Sequence, residues 1–212
     1  MLAKRLAVLV VLFFVFVSSA LAQDSSFKST PVNQVSVTVG RTFVSTQTIT
    51  PEDIPLHFGN PTSLAFNYGR LLMTHSIFGL YVEVPVGTFF SMGLNTPQNL
   101  VPKDIAALFV TPSARLNIFA TDSVTPWVSA GGGYGRFWES KDKNFFGQTT
   151  GPTGTNTGVV QFGAGLDVWF WHNWGARGEF RDFYSGVPAL NVDTGRSRQH
   201  NYYVGAGIAR RF

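Results

Sequence analysis

Beyond residue 33 the chain divides into eight stretches of two-residue periodicity, and the connections between them alternate in length. The stretches fall at 34–43, 63–72, 78–87, 106–119, 126–138, 157–170, 174–185 and 200–212. Connections one, three, five and seven are long, at 44–62, 88–105, 139–156 and 186–199. Those between them are short, at 73–77, 120–125 and 171–173. Alternation of this kind is what an antiparallel up-and-down sheet produces when it closes on itself, with wide loops at one end and tight turns at the other. An even number of strands brings both chain ends to the turn side. A soluble sandwich has no reason to alternate this way.

The solvent for such a sheet follows from the start of the chain and its composition. Lys4 and Arg5 precede an apolar run from Leu6 to Val17, and Ala20-Leu21-Ala22 forms a small-x-small cleavage site, so 1–22 reads as a cleaved signal peptide. A run of this length is too short to cross a bilayer comfortably, and no 18-residue apolar stretch follows it. Removing the leader with Lys4 and Arg5 leaves 14 basic residues against 12 acidic ones, a net +2. That balance, without any basic run, gives no footprint for nucleic acid. The sequence has no cysteine, which excludes disulfide scaffolds, thiol catalysis and thiolate metal sites. Only 13% of residues are charged, while 15% are aromatic and 22 are glycine; strands bathed in lipid suit that balance better than a water-facing surface. In hydrocarbon every backbone polar group needs an internal partner, and a closed sheet has no free edge. The expectation is all-β: an eight-stranded antiparallel up-and-down transmembrane β-barrel over 34–212, preceded by a short periplasmic segment at 23–33.

Parity then assigns the faces. In 157–170 and 174–185 the even positions Phe162, Ala164, Leu166, Val168, Phe170, Trp174, Ala176, Gly178 and Phe180 are apolar or small and should meet lipid. The odd positions carry Asp167, Arg177, Glu179 and Arg181, which should face the lumen. A three-residue turn would set Phe170 opposite Trp174, Asp167 opposite Arg177, Gly165 opposite Glu179 and Gly163 opposite Arg181. The same parity sends Glu83 and Arg115 inward. Glu83, Arg115, Asp167, Arg177, Glu179 and Arg181 thus put three acids and three bases into one narrow cylinder, where unpaired charge is costly. A lumen charge network is expected. Aromatics at strand ends suggest two interfacial girdles: Trp127, Phe170, Trp171, Trp174 and Phe212 at one end, and Phe43, Phe66, Tyr68, Phe137, Trp138, Tyr184 and Tyr202 at the other.

On GAGLDVWF and WGARGEFRDFYSG within 163–186, FGLYVEVP at 78–85 and the last strand ending on Phe212, the chain resembles the small outer-membrane barrels related to the OmpA transmembrane domain. The resemblance implies an outer-membrane location with both termini periplasmic, contact with outer-membrane lipid and lipopolysaccharide, and a monomer. It also implies that Phe212 is the assembly signal read by the barrel-assembly machinery. Arg210 departs from the pattern, at an outward place that is normally apolar, where its long side chain could snorkel to the interface.

Little in the sequence speaks for chemistry. His57, His75, His172 and His200 lie apart without ligand spacing, so no metal or cofactor is expected. His75-Ser76 invites comparison with barrel lipid hydrolases, but the pair falls in a turn, and adjacent strand residues point to opposite faces. The segment 144–158, rich in glycine, threonine and asparagine, reads as a solvated connector, with ligand or host contact as its functional alternative. The expected function is therefore non-enzymatic, a structural or surface-interaction barrel with a side-chain-plugged lumen. The alternatives are a narrow passive channel for small or apolar solutes and, behind it, a lipid-modifying enzyme.

Overall fold

The computed structural model describes residues 32–97, 99–120, 123–171 and 173–212. The expected signal peptide, all but the end of the 23–33 segment, and His172 lie outside the described residues. Eleven strands follow in chain order: β1 (Asn33–Phe43), β2 (Gln47–Ile49), β3 (Ile54–Phe58), β4 (Thr62–His75), β5 (Phe78–Asn95), β6 (Asp104–Val110), β7 (Ser113–Ile118), β8 (Val124–Glu139), β9 (Thr155–Trp171), β10 (Trp174–Gly186) and β11 (Arg198–Arg211). All pairings between them are antiparallel. The wall runs β5-β4-β1-β11-β10-β9-β8, and β6 with β7 bridges β8 back to β5. That makes a closed ring of eight strands. Among the described residues no helix is long and apolar enough to cross a membrane.

Closure is complete to the last residue. β1 pairs β11 from Gln34↔Arg211 to Phe43↔Tyr202, and Asn33 and Phe212 exchange both backbone hydrogen bonds at 2.9 Å. Among the described residues no strand edge of the ring is left unpaired, which is what a sheet without water needs. The outer face is apolar: Val39, Val128, Phe162 and Ile208 are each about half exposed or more.

The expected fourth strand is split. Thr111-Pro112 separates β6 from β7 because Pro112 has no N–H to give the ladder. The wall stays shut there, since Thr111 N donates to Pro85 O at 3.1 Å and Gly132 N to Pro112 O at 3.2 Å. Register also continues across the break, from Val86↔Val110 to Phe78↔Ile118. β5 runs to Asn95, well past the expected end at 87, and a bulge between Phe89 and Met92 resets its inward face. The first long connection is not structureless: β2 and β3 form a hairpin that joins the extended β5 through His57↔Asn95 and Phe58↔Leu94.

In the β9–β10 hairpin, Arg177↔Asp167, Glu179↔Gly165 and Arg181↔Gly163 pair as parity requires. The turn itself differs. Trp174 stands opposite Trp171 rather than Phe170, and the register shifts before Gly175↔Trp169. An irregularity at the turn absorbs one residue, leaving Phe170 and Trp171 both strongly exposed on the outer face.

Candidate functional site: a lumen in three layers

The lumen is filled by side chains. Its middle layer contains the six charges expected there, and every one of the eight wall strands contributes to it. Arg181 on β10 and Glu83 on β5 stand half the ring apart, yet Arg181 Nη1 lies 2.9 Å from Glu83 Oε1. Their ion pair spans the barrel's diameter. Glu83 Oε2 accepts from Asn67 Nδ2 at 2.7 Å and sits 3.3 Å from Arg115 Nη1. Arg181 Nε donates to Glu179 Oε2 at 2.9 Å, and Glu179 Oε1 accepts from the Thr38 hydroxyl. That hydroxyl also lies 2.8 Å from the Tyr203 hydroxyl.

A second half of the layer centres on Asp167. Arg177 clasps it with two parallel bonds, Nε to Oδ1 and Nη2 to Oδ2, each 2.7 Å. Such a fork is the strongest geometry an arginine and a carboxylate can adopt. Gln34 Nε2 donates to the same carboxylate at 2.8 Å, and Arg115 Nη2 donates to Gln34 Oε1. Arg177 Nη1 reaches Ser36 Oγ on β1 at 2.8 Å. All six charged residues are at most 5% exposed. Burial of this kind is tolerable only because each charge has an opposite partner and further hydrogen bonds.

Between the halves lies Trp127, a residue expected in an interfacial girdle. It is instead 1% exposed and turned inward. The guanidiniums of Arg177 and Arg181 each sit 5.0 Å from its ring, and that of Arg115 lies 5.7 Å away. Its ring face takes up cationic surface that the three carboxylates do not cover. Gly165 makes the room: a Cβ there would collide with Cζ2 of the Trp127 ring.

The other two layers have no counterpart in the parity of the charged residues. Toward the long loops the lumen holds a phenylalanine cluster beside buried amides and hydroxyls, where Gln47 Nε2 donates to Gln199 Oε1 at 3.0 Å and Asn201 Nδ2 to Ser185 Oγ at 3.0 Å. Phe109 stacks on Phe183 at 5.0 Å and meets Phe137 edge-on at 5.7 Å, with Phe89 beside it at 6.3 Å. Phe183 crosses to β5, where a Cβ on Gly87 would come within 2.8 Å of its ring. Ile49 of β2, Leu56 of β3, Val101 and Leu190 are buried in the same cluster, so the long connections fold over this end. Phe137, expected in the outer girdle, belongs to this inner cluster. At the turn end, the Arg211 guanidinium lies 3.7 Å from the ring of the inward Trp169 and donates to Ala120 O at 3.3 Å.

Phe212 stands next to this lower lid, half-buried and paired to Asn33. Arg210 is outward, 5.3 Å from the Trp174 ring. Tyr68, expected toward the outer ends, sends its hydroxyl to Asn33 Oδ1 at 2.9 Å near the turn end. His75 ends β4 and Ser76 turns the corner with φ of 53°. Among the described residues no three histidines or acids are grouped as a metal site would require.

A closed ring of eight antiparallel strands, apolar outside and filled inside, is the architecture of the small outer-membrane β-barrels. Solved structures with this fold include outer membrane protein AlkL in lipid bilayers (TM-score 0.54, 12% identity, covering 89% of this chain and 93% of that one). OprG of Pseudomonas aeruginosa gives a TM-score of 0.53 at 10% identity over 88% of this chain and 99% of its own. Neisserial surface protein A gives 0.52 at 14% identity over 85% and 97%. Identities this low speak for the fold and not for a shared activity. No protein-family model matches the chain. A 71-residue stretch is 37% identical to one component of the F(420)H(2) dehydrogenase of Methanosarcina barkeri. It covers 33% of this chain but only 20% of that protein, and no role follows from it.

Proposed function

We propose that the protein is a non-enzymatic outer-membrane barrel with a structural or surface-interaction role, its lumen sealed by side chains. The observation that carries this reading is the Arg181–Glu83 pair at 2.9 Å across the diameter, packed against Trp127 and roofed by the phenylalanine cluster. A conducting pore needs a continuous water-filled path, and the paired ion layer and the packed phenylalanine layer both occupy that space with side chains. On this reading 1–22 is cleaved near Gln23, 34–212 forms the barrel domain, and both termini lie in the periplasm. The long loops then stand outside the cell. The partners are outer-membrane lipid and lipopolysaccharide at the rim, with Phe212 presented to the barrel-assembly machinery during insertion and the folded barrel a monomer.

The test combines location and permeation. The mature chain, beginning near Gln23 by intact mass, is expected to fractionate with the outer membrane. Liposomes containing it are expected to swell no faster than empty ones in small sugars or amino acids. Recovery in the soluble periplasm would contradict the location. Fast swelling would favour the competing function, a narrow passive channel.

A further inference from the structure

The lipid-facing wall carries a hydrogen-bonded pair of ionisable side chains. Asp182 on β10 and His200 on β11 both point outward, with His200 Nδ1 2.7 Å from Asp182 Oδ2. Their surroundings on that face are apolar. Phe162 is paired with Asp182, Val160 with Tyr184, and Phe180 with Val204, and all four of Phe162, Val160, Phe180 and Val204 are exposed. Ionisable side chains on such a wall are costly unless something meets them.

The pair belongs to a larger constellation. Four rings climb the wall in sequence: Phe180 to Tyr202 at 5.9 Å, Tyr202 to His200 at 5.3 Å and 8°, and His200 to Tyr184 at 4.6 Å. Arg198 caps the ladder, its guanidinium 5.8 Å from the Tyr184 ring. Arg41 on β1 is outward and exposed beside it, paired with Val204. Asp182 is eight positions along β10 from Trp174. At about 3.3 Å per residue and a tilt near 40°, that places it about 20 Å above the turn end, near the far boundary of the apolar band.

Its hydrogen-bonding capacity is unspent on both sides. The Asp182 side chain is 13% exposed, and its Oδ1 is buried without a hydrogen-bond partner among the described residues. His200 is 49% exposed, its Nδ1 engaged by Asp182 and its Nε2 not. The notch therefore sets the guanidiniums of Arg198 and Arg41 around two acceptors, Asp182 Oδ1 and the Nε2 of a His200 that donates its Nδ1–H to Asp182. Arg198 also donates to Gly158 O at 3.2 Å, and Arg41 to Asn60 O at 2.7 Å. A complementary ligand carries an anionic group beside a hydrogen-bond donor, at headgroup depth and above an acyl chain that can lie along Phe180, Phe162 and Val204.

Resting on the outer-membrane reading above, we propose that Asp182, His200, Tyr184, Tyr202 and Arg198 form a binding site for a phosphate-bearing lipid headgroup with an adjacent donor. Two lipid sources share that chemistry: a phosphorylated glycolipid, whose donor is a sugar hydroxyl, and an ethanolamine phospholipid, whose donor is the ammonium. Phosphatidylcholine has the phosphate and no donor, which makes it the natural reference.

The test reconstitutes the barrel in nanodiscs of phosphatidylcholine mixed in equal parts with either lipid A or phosphatidylethanolamine. Native mass spectrometry then counts the lipid retained on release. One donor-bearing lipid is expected to survive release at least fivefold more often than phosphatidylcholine, and which of the two mixtures shows it identifies the source. Asp182→Ala is expected to erase that preference, and Arg198→Gln to lower retention of either lipid. Arg210→Gln, at the opposite end of the wall, is expected to change neither. All these positions face outward, so heat-modifiable gel mobility is expected to show folded barrels throughout. Retention no better than phosphatidylcholine, or variants that retain lipid like the parent, would overturn the site while leaving the barrel reading intact. A chain that does not enter the nanodisc contradicts the membrane reading itself, and the site with it.

Discussion

Trp127 shows how much one side chain can decide inside a narrow barrel. It fills the centre of the charge layer, takes three guanidiniums on its ring, and is accommodated because residue 165 is glycine. Strand-end aromatics look alike in sequence whether they face lipid or lumen, which is why composition alone sends this one to a girdle. Parity does carry the answer: Trp127, Ser129 and Phe137 share the inward phase of β8. Trp127→Ala is expected to remove about 3–5 kcal/mol of stability, through lost burial and an unfilled cavity. Guanidinium unfolding followed by tryptophan fluorescence and heat-modifiable mobility would register this as a lowered midpoint. An unchanged midpoint would mean that the ring is not central to the plug.

For whole strands, the sequence is most legible where two faces demand opposite chemistry. The β9–β10 pairing from Arg177↔Asp167 onward follows from alternation, because a one-residue slip would expose charge to lipid and bury phenylalanine among ions. Legibility fails where one face has no such demand. The β2–β3 hairpin, the extension of β5 and its bulge at 89–92 lie beyond the apolar band, where either face can be polar and the period-2 signal fades. The Pro112 break is similarly invisible in register, since pairing resumes in phase.

The closing strand is where the proposed assembly role of Phe212 can be tested. Phe212 adds two backbone bonds to Asn33 and only a half-buried ring, a small share of a wall held by long ladders. Deleting it is therefore expected to lower outer-membrane yield severalfold while shifting the unfolding midpoint of barrels refolded in detergent by less than about 1 kcal/mol in stability. Equal yields for the deletion and the parent would remove Phe212 as an assembly signal.

Across the described residues, side chains fill the lumen in three layers: an arginine–tryptophan contact at the turn end, a paired ion layer in the middle, and a phenylalanine cluster with buried amides beneath the long loops. The six charges of the middle layer are readable from parity, since alternation with apolar neighbours leaves them only the lumen face, whereas inward Glu139 and Arg211 at the two ends are not. Nor are the partners of those six. Cross-lumen contacts depend on barrel diameter and stagger, which no local pattern encodes, and so Gln34, Thr38 and Tyr203 emerge only from the structure. Glu83 is the hub of the middle layer, holding Arg181 from the opposite wall and Arg115 from its neighbour. Replacing it with alanine leaves buried Arg115 without its ion pair and Arg181 with Glu179 alone, a loss of about 3–5 kcal/mol by the cost of breaking buried pairs. The closed ladders of the wall do not depend on that residue, so the barrel is expected to survive with a loosened plug.

Single-channel conductance in planar bilayers, comparing the parent with Glu83→Ala, tests the sealed lumen most directly. The parent is expected to show no steady open level, and the variant to show flickering openings at the same salt and voltage. A parent that conducts steadily like an open porin, with Glu83→Ala indistinguishable from it, would contradict a lumen closed by its own side chains.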